Sequence, residues 1–214
     1  MLVCGLLANC KVSSFTLIAT LSIALQACAA PTHVDGSSIT RPVSGIYESL
    51  MLAVDSQGIV TGYFRQDQGE GVVKRCSFFL AGRASVGEFV VKSWQEQLLM
   101  GTLEIDQNSV RLTIERGRDH PGCGAVLLPA IATGLVLDKT TSTRWSALRR
   151  IIVPRAHLHS SPNLVSKQNA YVVENDVVGV LARNGDWLQV AYPSVKRTVS
   201  GWLPAVESAA LTAP

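Results

Sequence analysis

Residues 156–203 read AHLHSSPNLVSKQNAYVVENDVVGVLARNGDWLQVAYPSVKRTVSGWL. Short apolar runs (YVV, VVGVL, WLQVAY, GWL) are separated by the turn signals Asn175-Asp176, Asn184-Gly185-Asp186 and Pro193-Ser194. Trp187 opens one run and Trp202 lies in another. Close-set strands punctuated by Asn, Asp, Gly and Pro predict a small antiparallel barrel, because those residues accept turn conformations that β-branched ones resist.

Four segments in the same order and spacing give the stretch a family likeness. Residues 156–163, Ala-His-Leu-His-Ser-Ser-Pro-Asn, occupy an opening segment; residues 171–181 hold a strand, an Asn175-Asp176 turn and a second strand; Gly185-Asp186-Trp187-Leu188-Gln189-Val190 forms a central hairpin; and Ser200-Gly201-Trp202-Leu203 closes the pattern. This arrangement resembles a bacterial SH3-like (SH3b) domain and places it over residues 150–208. The chain departs from the family at His159, where Arg is common, and at Ser161 and Asn175, where Gly is common. Asn175 tolerates a left-handed turn nearly as Gly does. The resemblance implies a shallow groove edged by aromatic side chains and suited to an extended peptide, either a peptidoglycan stem peptide or a protein partner. The candidates for that edge are Tyr171, Trp187, Tyr192 and Trp202, with His159 in the opening segment. Trp187 and Trp202 also suit the barrel's own core, and that reading is preferred for both.

Upstream, residues 41–140 are a succession of short strands. Gly45–Val54 opens them, and Ser56-Gln57-Gly58 turns into 59–65, where Ile59, Thr61 and Tyr63 alternate with Val60, Gly62 and Phe64. Strands follow at 74–80, 88–94, 100–105, 109–115 and near 133–137. The pair TLEID–QN–SVRLTIE is the clearest hairpin, with Leu103 and Ile105 on one face and Val110, Leu112 and Ile114 on one face of its partner. Such spacing predicts an all-β barrel or sandwich. Gly-x-Tyr at 45–47 and Val-Thr-Gly-Tyr-Phe at 60–64 are similar to small calycin-type barrels, a group used by avidin-like proteins and some exported lysozyme inhibitors. A barrel of this size holds one small ligand or is filled by side chains. Residues 140–150, with Trp145 and Leu148, read as a boundary carrying one helical turn.

The N-terminus points to export. Lys11 is the sole charge before Asp35, and it precedes an apolar run over residues 12–27 that suits a signal-peptide core better than a membrane span of ~20 residues. Leu25-Gln26-Ala27-Cys28 resembles the lipobox of bacterial lipoproteins, which implies lipid on Cys28, a membrane anchor and a periplasmic location; Gln26 departs from the small residue usual there. Ordinary cleavage after Ala29 or Ala30 is the alternative. Residues 1–27 are then the signal and 28–40 a turn-rich tether. Of the five cysteines, Cys4 and Cys10 leave with the signal and Cys28 takes lipid. Cys76 and Cys123 remain, an even pair in an oxidising compartment, and predict a disulfide.

Charge is uneven. The chain carries a net +3, and residues 144–214 hold eight basic and four acidic groups. A solvated face is the preferred reading over contact with an anionic surface. Export makes nucleic acid an unexpected partner.

Catalytic chemistry is weakly signalled. His157 and His159 alternate on a strand and could share a metal, yet no third ligand is evident and zinc takes three or four. His120 precedes Cys123 closely, but neither cysteine has the helical setting that activates a thiolate. Glu104 and Asp106 read as solvated carboxylates. No nucleophile elbow, phosphate loop or zincin motif is present, and neither cofactor nor metal is expected. The expectation is a non-catalytic envelope-binding protein. The alternative is a periplasmic inhibitor or immunity protein that blocks a wall-degrading enzyme with a protruding loop at 117–122, bearing Arg118, Asp119 and His120 beside Arg116.

Overall fold

The computed structural model describes residues 44–70, 73–85, 88–106, 108–194 and 197–214. Among them there is no α-helix. The expected signal, tether and Cys28 lie outside the described residues.

Eight antiparallel strands, β1 (Gly45–Tyr47), β2 (Leu50–Val54), β3 (Ile59–Gln68), β4 (Lys74–Ala84), β5 (Phe89–Trp94), β6 (Leu98–Ile105), β7 (Ser109–Thr113) and β8 (Leu135–Ser142), pair in sequence order. β8 returns to β1 and closes the barrel, which decides barrel over sandwich. Closure removes both sheet edges, so no strand is left with a free hydrogen-bonding flank. The expected hairpin is present in register, Leu103 opposite Leu112, Glu104 opposite Arg111 and Ile105 opposite Val110. On β3, Val60, Gly62 and Phe64 point inward, as the alternation requires. Phe64 stacks on Phe78 of β4 at 4.8 Å, and buried Tyr47, Leu50, Leu52, Leu80, Leu103 and Leu112 continue the same core. The interior is therefore filled by side chains.

One expected strand is in fact two. Gly45–Val54 breaks at Glu48-Ser49, where Glu48 takes a left-handed φ of 48° and its carboxylate accepts from the Asp138 amide at 3.3 Å. A tight turn without Gly or Asn has no signature in the sequence, which is why it is missed.

A seven-stranded antiparallel sheet follows: β9 (Ala147–Ile151), β10 (Arg155–His159), β11 (Lys167–Val173), β12 (Val177–Asn184), β13 (Trp187–Tyr192), β14 (Val199–Pro204) and β15 (Ser208–Ala210), in the order β11-β10-β14-β13-β12-β9-β15. Its inner face buries Ile151, Ala156, Leu158, Val172, Val178, Leu188, Val190 and Leu203. Asn175, at φ 70°, makes the left-handed turn expected of it.

Barrel and sheet form one compact unit. Trp145, Leu148, Val177 and Leu211 from the C-terminal part pack on Ala53 and Trp94 of the barrel wall. The Leu148 amide donates to Thr61 Oγ1 at 2.8 Å, and Ser44 Oγ donates to the Trp145 carbonyl at 2.6 Å while accepting from the Val54 amide at 2.9 Å. The helical turn expected at 140–150 is absent. Residues 147–151 are extended because they ladder with β12 and β15, and the three-residue spacing of Trp145 and Leu148 serves the junction instead. The Arg149 guanidinium donates to Ser208 Oγ and Ser208 O, at 2.8 and 2.6 Å, and fixes the C-terminal strand to β9.

Candidate functional site

Strand parity determines what the sheet shows on the side away from its core. Ala156, Leu158, Val172, Leu188 and Leu203 point inward, so their neighbours Arg155, His157, His159, Tyr171, Trp187 and Trp202 point outward. The register then aligns them across strands: His157 opposite Tyr171, His159 opposite Trp202, and Gln189 opposite Trp202 on the other side. Four of the five sequence candidates, Tyr171, Trp187, Trp202 and His159, thus share one face.

The face is unevenly exposed. Tyr171 is 46% exposed, with the Arg155 guanidinium 4.3 Å from its ring centroid and the His157 ring at 5.9 Å. Trp187 and Trp202 are half-buried. His159 is only 5% exposed, because Trp187 meets it edge-on at 5.0 Å. Its Nδ1 finds no partner among the described residues, and neither does Oε2 of the nearby Glu207, whose carboxyl is pushed up by burial. A ladder irregularity between His157 and His159 gives the two imidazoles different surroundings, one on Tyr171 and one on Trp187. Among the described residues no three His, Cys, Asp or Glu side chains are placed to hold a metal.

Tyr192 lies elsewhere. It lines a cleft of about 530 Å3 with Tyr63, Arg65 and Asp67 of the barrel and Asp176 of the β11–β12 turn. Burial and the Asp176 carboxylate, which accepts a hydrogen bond from its hydroxyl, push the Tyr192 phenol up. Hydrogen bonds from Arg75 and Arg65 hold Asp67 down at about 2. These side chains already satisfy one another.

A groove of about 650 Å3 borders the aromatic face and is lined by Leu164, Asp186, Trp187, Pro204 and Val206. Leu164 is 73% exposed, its neighbour Val165 95% and Val206 81%. These aliphatic residues were not found by reading the sequence. Their loops looked polar, and only the fold sets Leu164 beside Val206. Arg155 and His157 were missed as neighbours of Tyr171 because cross-strand register is invisible until the strands are paired.

At the barrel, Cys76 and Cys123 form the expected disulfide. The segment between β7 and β8 sends Cys123, Val126, Leu127 and Ile131 into the barrel core. Gly122 starts the turn at Cys123 with φ 77°, and a Cβ there would strike the Arg75 carbonyl, so Gly is required. In the loop at 117–122, Gly117 and His120 are buried while Arg118, Asp119 and Gly122 are exposed. His120 is 1% exposed, stacks on Phe78 at 4.9 Å and meets Ser93 Oγ through Nε2 at 3.0 Å. Burial pushes its pKa down. Arg116 and Asp119 remain outside and pair with each other at 2.8 Å. The Cys123 sulfur, bound to Cys76, is no nucleophile. Glu104 pairs with Arg111 across the hairpin at 3.6 Å, and both side chains are solvated.

Compared with known proteins, the chain matches no family model, no curated protein and no solved structure.

Proposed function

We propose that the chain is an exported, non-catalytic binding protein of the cell envelope, anchored through lipid on Cys28, whose C-terminal sheet is an SH3-like module that holds an extended peptide, either a peptidoglycan stem peptide or a segment of an envelope protein. The observation that carries this reading is the single-face alignment of Tyr171, Trp202 and Trp187 across β11, β14 and β13, with His159 packed against Trp187. Half-exposed aromatic rings in a row give an extended chain flat apolar contact at low cost in side-chain entropy. The packing of His159 on Trp187 fixes the indole, so less order has to be imposed when a ligand arrives.

Co-sedimentation of residues 38–214 with purified sacculi, at 50 and 500 mM salt, tests the wall-binding form. Pelleting that resists salt and falls about tenfold in Tyr171→Ala, the loss of roughly 1.4 kcal/mol, is the expected result. Pelleting that salt abolishes, or that ignores Tyr171→Ala, removes wall peptide as the ligand.

A further inference from the structure

Among the described residues, no strand of the C-terminal sheet contains Asp or Glu. The four acids of residues 144–214, Glu174, Asp176, Asp186 and Glu207, all lie in the links between strands. Arg155 and Lys167, by contrast, stand on β10 and β11 themselves. Register puts Arg155, His157 and His159 on the outward side of β10, with His157 opposite Tyr171 and His159 opposite Lys167 of β11. The aromatic face is therefore basic along this edge and has no carboxylate within its strands.

Two of these side chains meet one ring. The Arg155 guanidinium lies 4.3 Å from the Tyr171 centroid, and the His157 imidazole lies 5.9 Å from it, tilted by 59°. Among the described residues that guanidinium makes no hydrogen bond or ion pair. The His157 ring keeps Nδ1 buried without a partner, which leaves Nε2 as the nitrogen it offers to a ligand. Of the acids in the adjoining turn, Asp176 accepts from the Val173 amide at 2.8 Å and Glu174 forms no salt bridge. An exposed cation–π contact contributes only about 0.5–1 kcal/mol, so the Arg155–Tyr171 pair adds little to stability. Its larger consequence is geometric. A planar fork of N–H donors lies over a half-exposed ring, and such a fork matches a carboxylate.

We propose that the peptide held on this face is acidic, and that Arg155 with His157 receives one of its carboxylates beside the Tyr171 ring. This rests on the reading of the aromatic face as a peptide site and adds to it the charge of the ligand. A peptidoglycan stem peptide and an acidic segment of an envelope protein both supply that group. An extended chain turns every second side chain to one side, so an acid in it meets Arg155 while other residues lie on the rings. A contact made at one guanidinium against a ring is screened less than a diffuse surface field, so salt weakens the binding without abolishing it.

The test measures binding of the full chain to two pairs of probes. One pair is purified sacculi, untreated or with their carboxyls blocked by methylamine through a carbodiimide. The other is an acetylated, amidated peptide of four Ala-Glu repeats and its Ala-Gln counterpart. The expected result is binding of at least one acidic probe that falls about tenfold in its neutral form, the scale of one charge-assisted hydrogen bond. Arg155→Gln should lower binding of the acidic probe by the same factor and leave the neutral one unchanged, a coupling that lost ring packing alone does not produce. Arg155→Lys should fall between, since it keeps the charge but not the fork. Carboxyl-dependent binding of sacculi identifies the wall as the source, and of the Ala-Glu peptide a protein segment. Equal binding of acidic and neutral probes, reduced by Tyr171→Ala, overturns the acidic requirement and leaves the peptide site standing. An Arg155→Gln loss that is equal on both forms means that Arg155 only positions the ring, and overturns it too. Tighter binding of inorganic polyphosphate than of either acidic probe, lost in Arg155→Gln, assigns the face to phosphate and overturns it as well. Failure of all four probes to bind overturns this inference together with the reading it rests on. Circular dichroism of each variant separates misfolding from lost binding.

Discussion

Cutting the Cys76–Cys123 bond is the most direct test of how the barrel is held together. The bond ties β4 to the segment that feeds Cys123, Val126, Leu127 and Ile131 into the core, across a sequence separation of 47. Closing a loop of that length in the unfolded chain removes entropy equivalent to about 4 kcal/mol at 25 °C. Cys76→Ala with Cys123→Ala keeps both sites apolar, so the added packing loss is a small cavity of roughly 1 kcal/mol. Serine would be a poorer probe because both positions are fully buried and would strand a hydroxyl. For residues 38–214 the combined loss of about 5 kcal/mol corresponds to a fall in melting temperature of about 10–20 °C. The urea dependence should steepen as well, since an uncrosslinked denatured chain exposes more surface. Thermal and urea unfolding of the double variant, followed by near-ultraviolet circular dichroism, measure both quantities. A fall below about 3 °C with an unchanged slope would refute the reasoning. It would mean that core packing alone seats the segment and that the denatured state is already compact there.

Two further outcomes follow from buried contacts. His120 has a folded pKa pushed below its ordinary value by burial, so the unfolded chain binds the proton first. Stability is then full above about pH 6.5 and declines below it, by up to about 1.4 kcal/mol per pH unit; urea titrations from pH 7.5 to 4.5 should show this slope, and His120→Leu should flatten it. At Gly179 an added Cβ would run into the Trp145 ring, so Gly179→Ala should cost about 3 kcal/mol as overpacking, read as a lower melting temperature, and a neutral result would show that the junction can slide apart.

The architecture was legible where period-two alternation was strong. The Leu103–Ile105 and Val110–Leu112 hairpin announced itself because one face of each strand is wholly apolar and a one-residue slip would turn it to solvent. Asn175 was legible for a different reason: its side chain tolerates the conformation that the turn imposes. Glu48 was not, since nothing about a glutamate signals a left-handed turn. The junction was also hidden. Ala53, Thr61, Tyr63, Phe79 and Trp94 all point out of the barrel, and an outward stripe of such residues is a sign that something covers it. Alternation reveals that a strand has two faces, but a strand covered on both looks the same as one with a few stray apolar residues. The same limit applied to Tyr171, whose neighbours Arg155 and His157 lie more than a dozen residues away in sequence.

Several charges on the barrel pair at contact distance. In the barrel, Asp67 is held at about 2 by Arg75 and Arg65, and Glu104 and Asp119 each face an arginine. Charges paired at contact distance cancel beyond about one Debye length, ~8 Å at physiological salt. In the sheet, the Arg155 guanidinium lies over the Tyr171 ring at 4.3 Å, and Arg183 Nε donates to the Gly185 carbonyl at 2.9 Å. A guanidinium ordered in this way loses little entropy on meeting an oxyanion. Exposed ion pairs contribute only about 0–1 kcal/mol each, so stability depends little on which surface cations are paired. The closed barrel has a filled interior, while the sheet keeps half-exposed rings on one face and exposed aliphatic residues, Leu164, Val165 and Val206, in its loops.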